Sequence, residues 1–452
     1  MKHSKISRFA LTISAIGLLT TGCTFEQEDY FDESAALRIT HQNDQLQDHL
    51  VAQNSEGKNG WVIQYFVAGT DDARFEGFNI LGRFESNGKV TLAGNHRFLR
   101  NNHANKYTEH TSTYEMLNEE GPVLSFNTWN DILTVLVDPV SPSAAPKDVL
   151  PDGEGMNGDH NLVLRSFKDN EIMFSGERHS AKVRFIPCDR PWQQYMDDVE
   201  KLKNRVATSA ITSYYVINGN DTMFIDGLNK GLYIYGERLV DPLQRKEVSC
   251  VFTPNGFRNE HVDTLAGAPF QEFVIDADST CLYNEDEKVK VVACWDRYIA
   301  AHTAIWELDP SLFSDEQQAV VSQLDAEIKK YNSSWSVKSL GIGKSKGGGS
   351  VTGLVVTFYI DAAKTKTNTV GLAMDMSLVQ YGQMRFGLPA TDTFDKNMSA
   401  IMNKADQLLN LTKSFATTLQ GTFDMTPDDY FKPTGSTFTS TNGGPTFKLT
   451  SI

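Results

Sequence analysis

The stretch Phe78-Asn79-Ile80-Leu81-Gly82-Arg83-Phe84-Glu85-Ser86-Asn87-Gly88-Lys89-Val90-Thr91-Leu92 carries the reading of the fold. Phe78 to Phe84 has the make-up of a strand, Ser86-Asn87-Gly88 is turn chemistry, and Lys89 to Leu92 is strand again, so the stretch spells a β-hairpin. The same rhythm runs outward on both sides. Upstream, Asn59-Gly60-Trp61-Val62-Ile63-Gln64-Tyr65-Phe66 opens a first strand, with Trp61 as a large apolar anchor for a core. Downstream, Thr113 to Leu117, Val123 to Phe126, Leu162 to Phe167, Glu171 to Gly176 and Lys182 to Ile186 continue it, with Asp169-Asn170 and His179-Ser180 at the bends. Successive hairpins make an antiparallel meander, and the expected form is a closed or nearly closed, lipocalin-like barrel. Before it, Ala36, Leu37, Ile39, Leu46 and Leu50 fall near helical spacing between Asp32 and Gln53 and predict an amphipathic helix.

Asp189-Arg190-Pro191-Trp192 starts a second helix, with Val199, Leu202 and Val206 on one side and Pro191 suited to its first turn. A boundary is placed here. Strands are then expected through Tyr214 to Ile217, Thr222 to Ile225, Leu232 to Tyr235, Val248 to Thr253, Phe270 to Ile275 and Lys290 to Cys294. Ser314-Asp315-Glu316 caps a helix whose Val320, Val321, Leu324, Ile328 and Tyr331 form one stripe. Asn332-Ser333-Ser334-Trp335-Ser336-Val337 then mirrors Asn59-Gly60-Trp61-Val62, so helix, turn, tryptophan and strand occur twice, either as an internal repeat or as a chance match. Strands follow at Leu354 to Ile360, Gly371 to Ser377 and Gln383 to Phe386. A last helix carries Ile401, Met402, Ala405, Leu408, Leu409, Phe415 and Leu419, with Gly421 as its stop.

The first residues decide where the chain lives. Lys2, Lys5 and Arg8 precede the apolar run Phe9 to Leu19, which is too short to span a bilayer and has the make-up of a secretory signal. Leu18-Leu19-Thr20-Thr21-Gly22-Cys23 resembles a bacterial lipobox, although Thr20 stands where leucine is usual. Cys23 is then lipidated and becomes the mature N-terminus, and attachment to the membrane runs through that lipid; the alternative is an ordinary signal peptide ahead of a cysteine. The formal charge is -15, and loss of Lys2, Lys5 and Arg8 lowers it to -18. Such a surface repels phosphate backbones and anionic headgroups, which excludes nucleic acid as a partner. The expected chain is mainly β with some α: a signal peptide over 1–22, an acidic linker over 23–30, an N-terminal β-rich domain over 31–190, a middle β-rich region over 191–311 and an α+β region over 312–452.

The chemistry-bearing residues are sparse. His96, His103 and His110 could gather a transition metal but are spaced too widely for one helix face, and a solvated loop is the plainer reading. Gly341-Ile342-Gly343-Lys344-Ser345 is near a phosphate loop, yet Lys338 stands where the pattern needs glycine, and Gly347-Gly348-Gly349 reads as a flexible connection. Asp152-Gly153-Glu154-Gly155-Met156-Asn157-Gly158-Asp159 is oxygen-rich, but Met156 occupies a calcium-ligand position. Cys188, Cys250, Cys281 and Cys294 allow three disulfide connectivities or none, with Cys281 and Cys294 on the two arms of a hairpin. No metal, cofactor or catalytic motif is expected, although carboxylate pairs set in space would leave no trace in sequence.

Phe31-Asp32-Glu33-Ser34-Ala35-Ala36-Leu37-Arg38, Asn59-Gly60-Trp61 and Gly121-Pro122-Val123-Leu124-Ser125-Phe126-Asn127 together resemble the Bacteroidetes lipoproteins called domain of unknown function 4302. The likeness is most specific over residues 23–190, and His160-Asn161-Leu162 departs from it. The acids Glu26, Glu28 and Asp29 after Cys23 resemble the export tag of surface lipoproteins in that phylum, or form a solvated linker. The resemblance implies an outer-membrane lipoprotein of starch-utilisation-type loci, facing outward beside a TonB-dependent transporter and its substrate-capturing lipoprotein. It implies nutrient capture, of a glycan or a peptide, with no catalytic residues to carry over; the alternative is a secreted hydrolase acting on the same polymer. The loop from Asp138 to Asp159 is the first place to look for ligand contacts, because a loop that long is functional or disordered.

Overall fold

The computed structural model describes residues 33–67, 75–99, 102–119, 121–137, 156–208, 210–236, 246–301 and 304–451. The signal segment 1–22, Cys23 and the linker 23–30 lie outside the described residues. Strand takes 42% and helix 22% of the described residues, so the fold is β-rich as the hairpin rhythm predicts.

Helix α1 (Ala35–Ala52) starts at Ser34, whose side chain accepts from Leu37 N, and lies against the first sheet with Leu46 and Leu50 fully buried. That sheet follows chain order. It runs β1 (Trp61–Phe66), β2 (Phe78–Phe84), β3 (Lys89–Gly94), β4 (Thr108–Thr113), β5 (Glu115–Asn118), β6 (Pro122–Ser125), β7 (Asn161–Lys168), β8 (Glu171–Gly176) and β9 (Lys182–Pro187), with the short helix α2 (Thr134–Val137) between β6 and β7. β9 pairs back onto β1, and every pairing is antiparallel. Counting directions around the ring from either side, β4 and β5 run the same way, and only Tyr114 separates them. They are two halves of one strand, the first bonded to β3 and the second to β6. The sheet is thus an eight-stranded meander with a seam at Tyr114.

Helix α3 (Trp192–Val206) leads to a second meander: β10 (Ser213–Asn218), β11 (Asp221–Asp226), β12 (Leu232–Gly236), β13 (Lys246–Thr253), β14 (Gly256–Leu265), β15 (Ala268–Ile275), β16 (Leu282–Tyr283) and β17 (Lys290–Ala293). β17 pairs with β10 and closes a complete barrel. Sequence patterning misses β14 and reads β16 only as one arm of the hairpin that carries Cys281 and Cys294, and without both the ring would stay open. After α4 (Trp295–Ala301) comes the third sheet. It begins with β18 (Trp306–Leu308), followed by α5 (Asp315–Tyr331), β19 (Ser336–Lys344), β20 (Thr352–Tyr359), β21 (Thr367–Ala373), β22 (Asp375–Gln380) and β23 (Gln383–Gly387). Helices α6 (Lys396–Met402) and α7 (Leu408–Thr418) then precede β24 (Gly421–Pro427), β25 (Gly435–Ser440) and β26 (Thr446–Ser451). The single helix expected around Ile401 to Leu419 is therefore two, and Gly421 opens a strand instead of stopping a helix.

The third sheet repeats the connectivity of the first. β26 closes onto β18, and β21 and β22 are halves of one strand separated by Met374. The connectivity repeats, but the Trp61–Trp335 match does not follow it: the residue opening the first strand of the third sheet is Trp306, and Trp335 precedes the second.

Two cores hold the molecule. Trp61, Ile63, Tyr65, Ile80, Leu92 and Phe185 fill the first barrel. Val62, Leu81 and Ala93, on the opposite face of the same strands, join the core formed by α3 and the other two sheets. β1 is buried along its whole length for this reason, with side chains covered alternately from inside and outside. Helix α3 works as a wedge between units. Its Trp192 Nε1 donates to Asn59 O at 2.6 Å, and Arg205 pairs with Asp429 of the third unit at 2.7 Å.

Candidate functional site

The segment leading into β2 crosses to the second barrel. Gly77 N donates to Cys250 O at 3.0 Å, Ser249 Oγ donates to Phe75 O at 2.7 Å, and Asn79 Nδ2 donates to Phe252 O at 2.7 Å. Gly231, with φ of +69°, lets Glu76 approach: a Cβ there would lie 2.6 Å from Glu76 Cβ. This contact leaves a cleft of about 510 Å³ bounded by the start of β2, the turn after β3, β13 and the polar side of α3. A junction between packed units is where ligand sites tend to form.

Two side chains in its wall are incompletely bonded. His96 Nε2 lies 3.0 Å from Ile132 O. A carbonyl only accepts, so Nε2 carries the proton and Nδ1 is left as an acceptor, buried and without a hydrogen-bond partner. Burial pushes the imidazole pKa down to about 4 against the opposing pull of the Ile132 carbonyl, so the ring is neutral at ordinary pH. Asn79 spends its amide N–H on Phe252 and keeps Oδ1 as a second buried, unpartnered acceptor.

Around them stand fixed charges. Glu76 pairs with Arg97 at 2.8 Å, and Arg97 stacks on Phe98 at 4.6 Å. On α3, Asp197 accepts from Gln193 at 2.8 Å and Glu200 from Asn204 at 3.0 Å, which holds both carboxylates in place along the helix. Lys203 lies 5.8 Å from the centre of the Phe252 ring. Cys250 in the wall is fully buried, and desolvation pushes its thiol far up, so it is not a thiolate nucleophile.

On the far side of the same junction a cleft of about 270 Å³ holds a charge network. Arg184 bonds Glu171 at 2.7 Å and Glu272 at 3.3 Å, and Arg258 reaches Glu272 at 3.9 Å. These charges satisfy one another across the two barrels, so the network reads as a tie between them.

The residues singled out by sequence do not converge. His96 is in the first cleft, while His110 pairs with Asp131 at 2.9 Å; among the described residues no three ligand-type side chains form a metal cluster. Residues 138–155 of the long loop lie outside the described residues. At its end the Asp159 carboxylate accepts from the N–H groups of Arg178, His179 and Ala181 at 2.9–3.1 Å, so it organises the β8–β9 turn. Gly341 and Gly343 sit in β19 and let the chain approach β18: a Cβ at Gly341 would fall 2.5 Å from Trp306 O. Gly348 O accepts from Lys396 N at 2.9 Å, so the glycine run is tied down. No disulfide joins Cys188, Cys250, Cys281 and Cys294, and all four are buried. The expected hairpin forms, but its register sets Cys281 opposite Val292, away from Cys294.

The chain belongs to the family described as Domain of unknown function (DUF4302), whose model matches residues 27–276. The match covers the first sheet and the second barrel as far as β15. No curated protein matches the chain. Among solved structures, the DNA polymerase III β chain of Streptococcus pneumoniae TIGR4 is 10% identical, with 90% of this chain and 97% of that one covered at a TM-score of 0.12. The transferrin binding protein B of serogroup B Neisseria meningitidis is 10% identical over 83% of this chain and 66% of that one, at 0.13. Likeness at that level carries no argument about fold or function.

Proposed function

We propose that this chain is a surface-anchored outer-membrane lipoprotein that captures a nutrient, a glycan or a peptide, for a TonB-dependent transporter and its substrate-capturing lipoprotein, and that it catalyses nothing itself. The Bacteroidetes setting and the anchor on Cys23 rest on the resemblance and the lipobox-like stretch. The capture role rests on one observation: a cleft between the first two units whose charged and polar side chains, Glu76, Arg97, Asp197 and Glu200 among them, are already held by the fold. A hydrolase is the rival, because Asp197 and Glu200 bring two carboxylates to the same cleft.

Incubating the purified full chain with polysaccharides and peptides separates the two. Saturable binding with the ligand recovered intact supports capture, and turnover in the absence of a transporter supports the hydrolase. For the anchor, Cys23→Ala is expected to release the protein from membranes or leave it unprocessed. A variant that still fractionates with membranes and takes up labelled fatty acid overturns that part.

A further inference from the structure

We infer that the chain has a second binding site, an open cleft of about 710 Å³ where α3, the second barrel and the third unit meet, and that this site takes a short acidic peptide. It shares no lining residue with the cleft assigned to capture and stands independently of that reading. Charge leads there. The whole chain carries a formal charge of -15, yet the ionisable side chains lining this cleft are four cations, Arg190, Lys201, Arg205 and Lys432, against two carboxylates, Asp198 and Asp429. Arg190 is spent: it bonds Asp198 at 2.6 Å and Asp189, outside the lining, at 2.8 and 2.9 Å. Asp429 is engaged as well, since its Oδ1 accepts from Arg205 Nη1 at 2.7 Å and from the Phe431 and Lys432 N–H groups at 2.8 Å. That shared oxygen draws the arginine of α3 and the β24–β25 turn carrying Lys432 to one point.

What is left over is positive. Lys201 and Lys432 are exposed, and among the described residues neither ammonium has a hydrogen bond or an ion pair. Arg205 donates through Nη1 alone, its side chain is 35% exposed, and stacking on Phe431 at 5.3 Å orients it. Lys201 and Arg205 stand four residues apart on α3 and so share a face. These accessible donors lack acceptors, and carboxylates supply them with charge as well. The remaining walls decide the body of the ligand. Leu202, Pro254 and Ile275 give hydroxyl groups nothing to bond, which disfavours a uronic acid chain and suits aliphatic side chains set between carboxylates. A small inorganic anion would leave these walls bare, whereas clefts of several hundred Å³ hold larger organic ligands. Recognition of an acidic motif by clustered basic side chains also needs no free sheet edge.

The test uses the full chain, titrated calorimetrically at low salt with acetyl-Leu-Glu-Leu-Glu, with its amidated glutamine counterpart and with hexagalacturonate. The acidic tetrapeptide is expected to bind, more weakly as salt is added, and the glutamine peptide is not. Lys201→Gln combined with Lys432→Gln is expected to weaken the tetrapeptide about fivefold, the worth of two exposed ion pairs, with the melting transition unmoved because neither side chain is buried or paired. Lys58→Gln combined with Lys89→Gln removes the same charge from exposed positions of the first unit and is expected to leave the affinity unchanged. Tetrapeptide binding indifferent to the first pair, or weakened as much by the second, overturns the site. Equal binding of the glutamine peptide overturns the role of charge. Hexagalacturonate binding without the tetrapeptide overturns the ligand class, and silence from all three probes overturns the proposal.

Discussion

The first and third units share one connectivity, and the correspondence extends to single hydrogen bonds. In the first, Tyr114 N donates to Gly88 O at 2.8 Å, at the end of the hairpin with β3; in the third, Met374 N donates to Thr352 O at 3.2 Å, at the start of β20. One residue later, Glu115 pairs with Ser125 and Asp375 with Gly387. The long crossings also correspond: residues 126–160 join β6 to β7, and 388–420 join β23 to β24. What differs is the placement of the large helix, α1 before the first strand in one unit and α5 after it in the other. The side chains at the cleft differ too. Counted from the residues opposite the seams, His96 falls where the third unit has Ile360. The architecture therefore depends on features that both units keep, and the cleft on features that only one has.

The largest expected effect tests the pairing of Trp61 with Trp306. Both open the first strand of their ring and both are buried, whereas Trp335 is half-buried and stacks on Phe358 at 5.3 Å. Trp61→Ala and Trp306→Ala are each expected to cost about 3–5 kcal/mol in the denaturant transition of their own unit. Trp335→Ala should cost clearly less. If Trp335→Ala is the more damaging of the third-unit pair, the tryptophan equivalence is wrong.

How far the sequence carried this reading depends on where burial obeys period. Strands such as FNILGRF, turns such as Ser86-Asn87-Gly88, and the cap at Ser314 are local and were legible. β14 was not, because its pattern is inverted: Arg258 and Asn259 are buried while Val262 is 60% exposed. Arg258 tolerates burial only because Glu272 lies across the network, and burial still pushes its pKa down to about 10. The seams were hidden for a different reason. Thr113 to Leu117 and Gly371 to Ser377 each read as one strand, and nothing local says that such a strand changes partner midway. The cleft was illegible because His96 looks like a loop histidine until Phe78, Phe98 and the Ile132 carbonyl close around it. The one local hint was Asn79, a polar residue between Phe78 and Ile80 in a strand otherwise read as core.

The seams give the middle-sized effects. Met374 is 6% exposed, and Met374→Ala is expected to cost about 2–3 kcal/mol by opening a cavity where the third ring changes partner. At the first seam, Tyr114 is also buried, and its hydroxyl donates to Glu85 O at 2.9 Å. Tyr114→Phe keeps the ring and loses that bond, at about 1 kcal/mol. Calorimetry with resolved transitions should assign each loss to its own unit. A Met374→Ala variant that instead destabilises the first unit would mean that the seams are not independent features of two rings.

The effect that is smallest at neutral pH, and grows only on acidification, concerns the position where the units part. An unfolded histidine titrates near 6.5, whereas burial holds His96 at about 4. Between those values the unfolded chain binds a proton that the folded chain refuses. The neutral ring thus costs nothing above pH 6.5, and stability falls as the pH drops from about 6.5 to about 4, by roughly 1 kcal/mol for each unit within that window. Below about 4 both states are protonated and the decline from this group stops. Carboxylates titrate near the lower limit in every unit, so the quantity to read is the difference between wild type and His96→Gln from pH 7 to 4. The variant should flatten the slope for the first unit and leave the third unaltered, since Ile360 has no proton to exchange. Parallel pH profiles for wild type and variant would mean that His96 is hydrated in solution, and its acceptor would then no longer be unused.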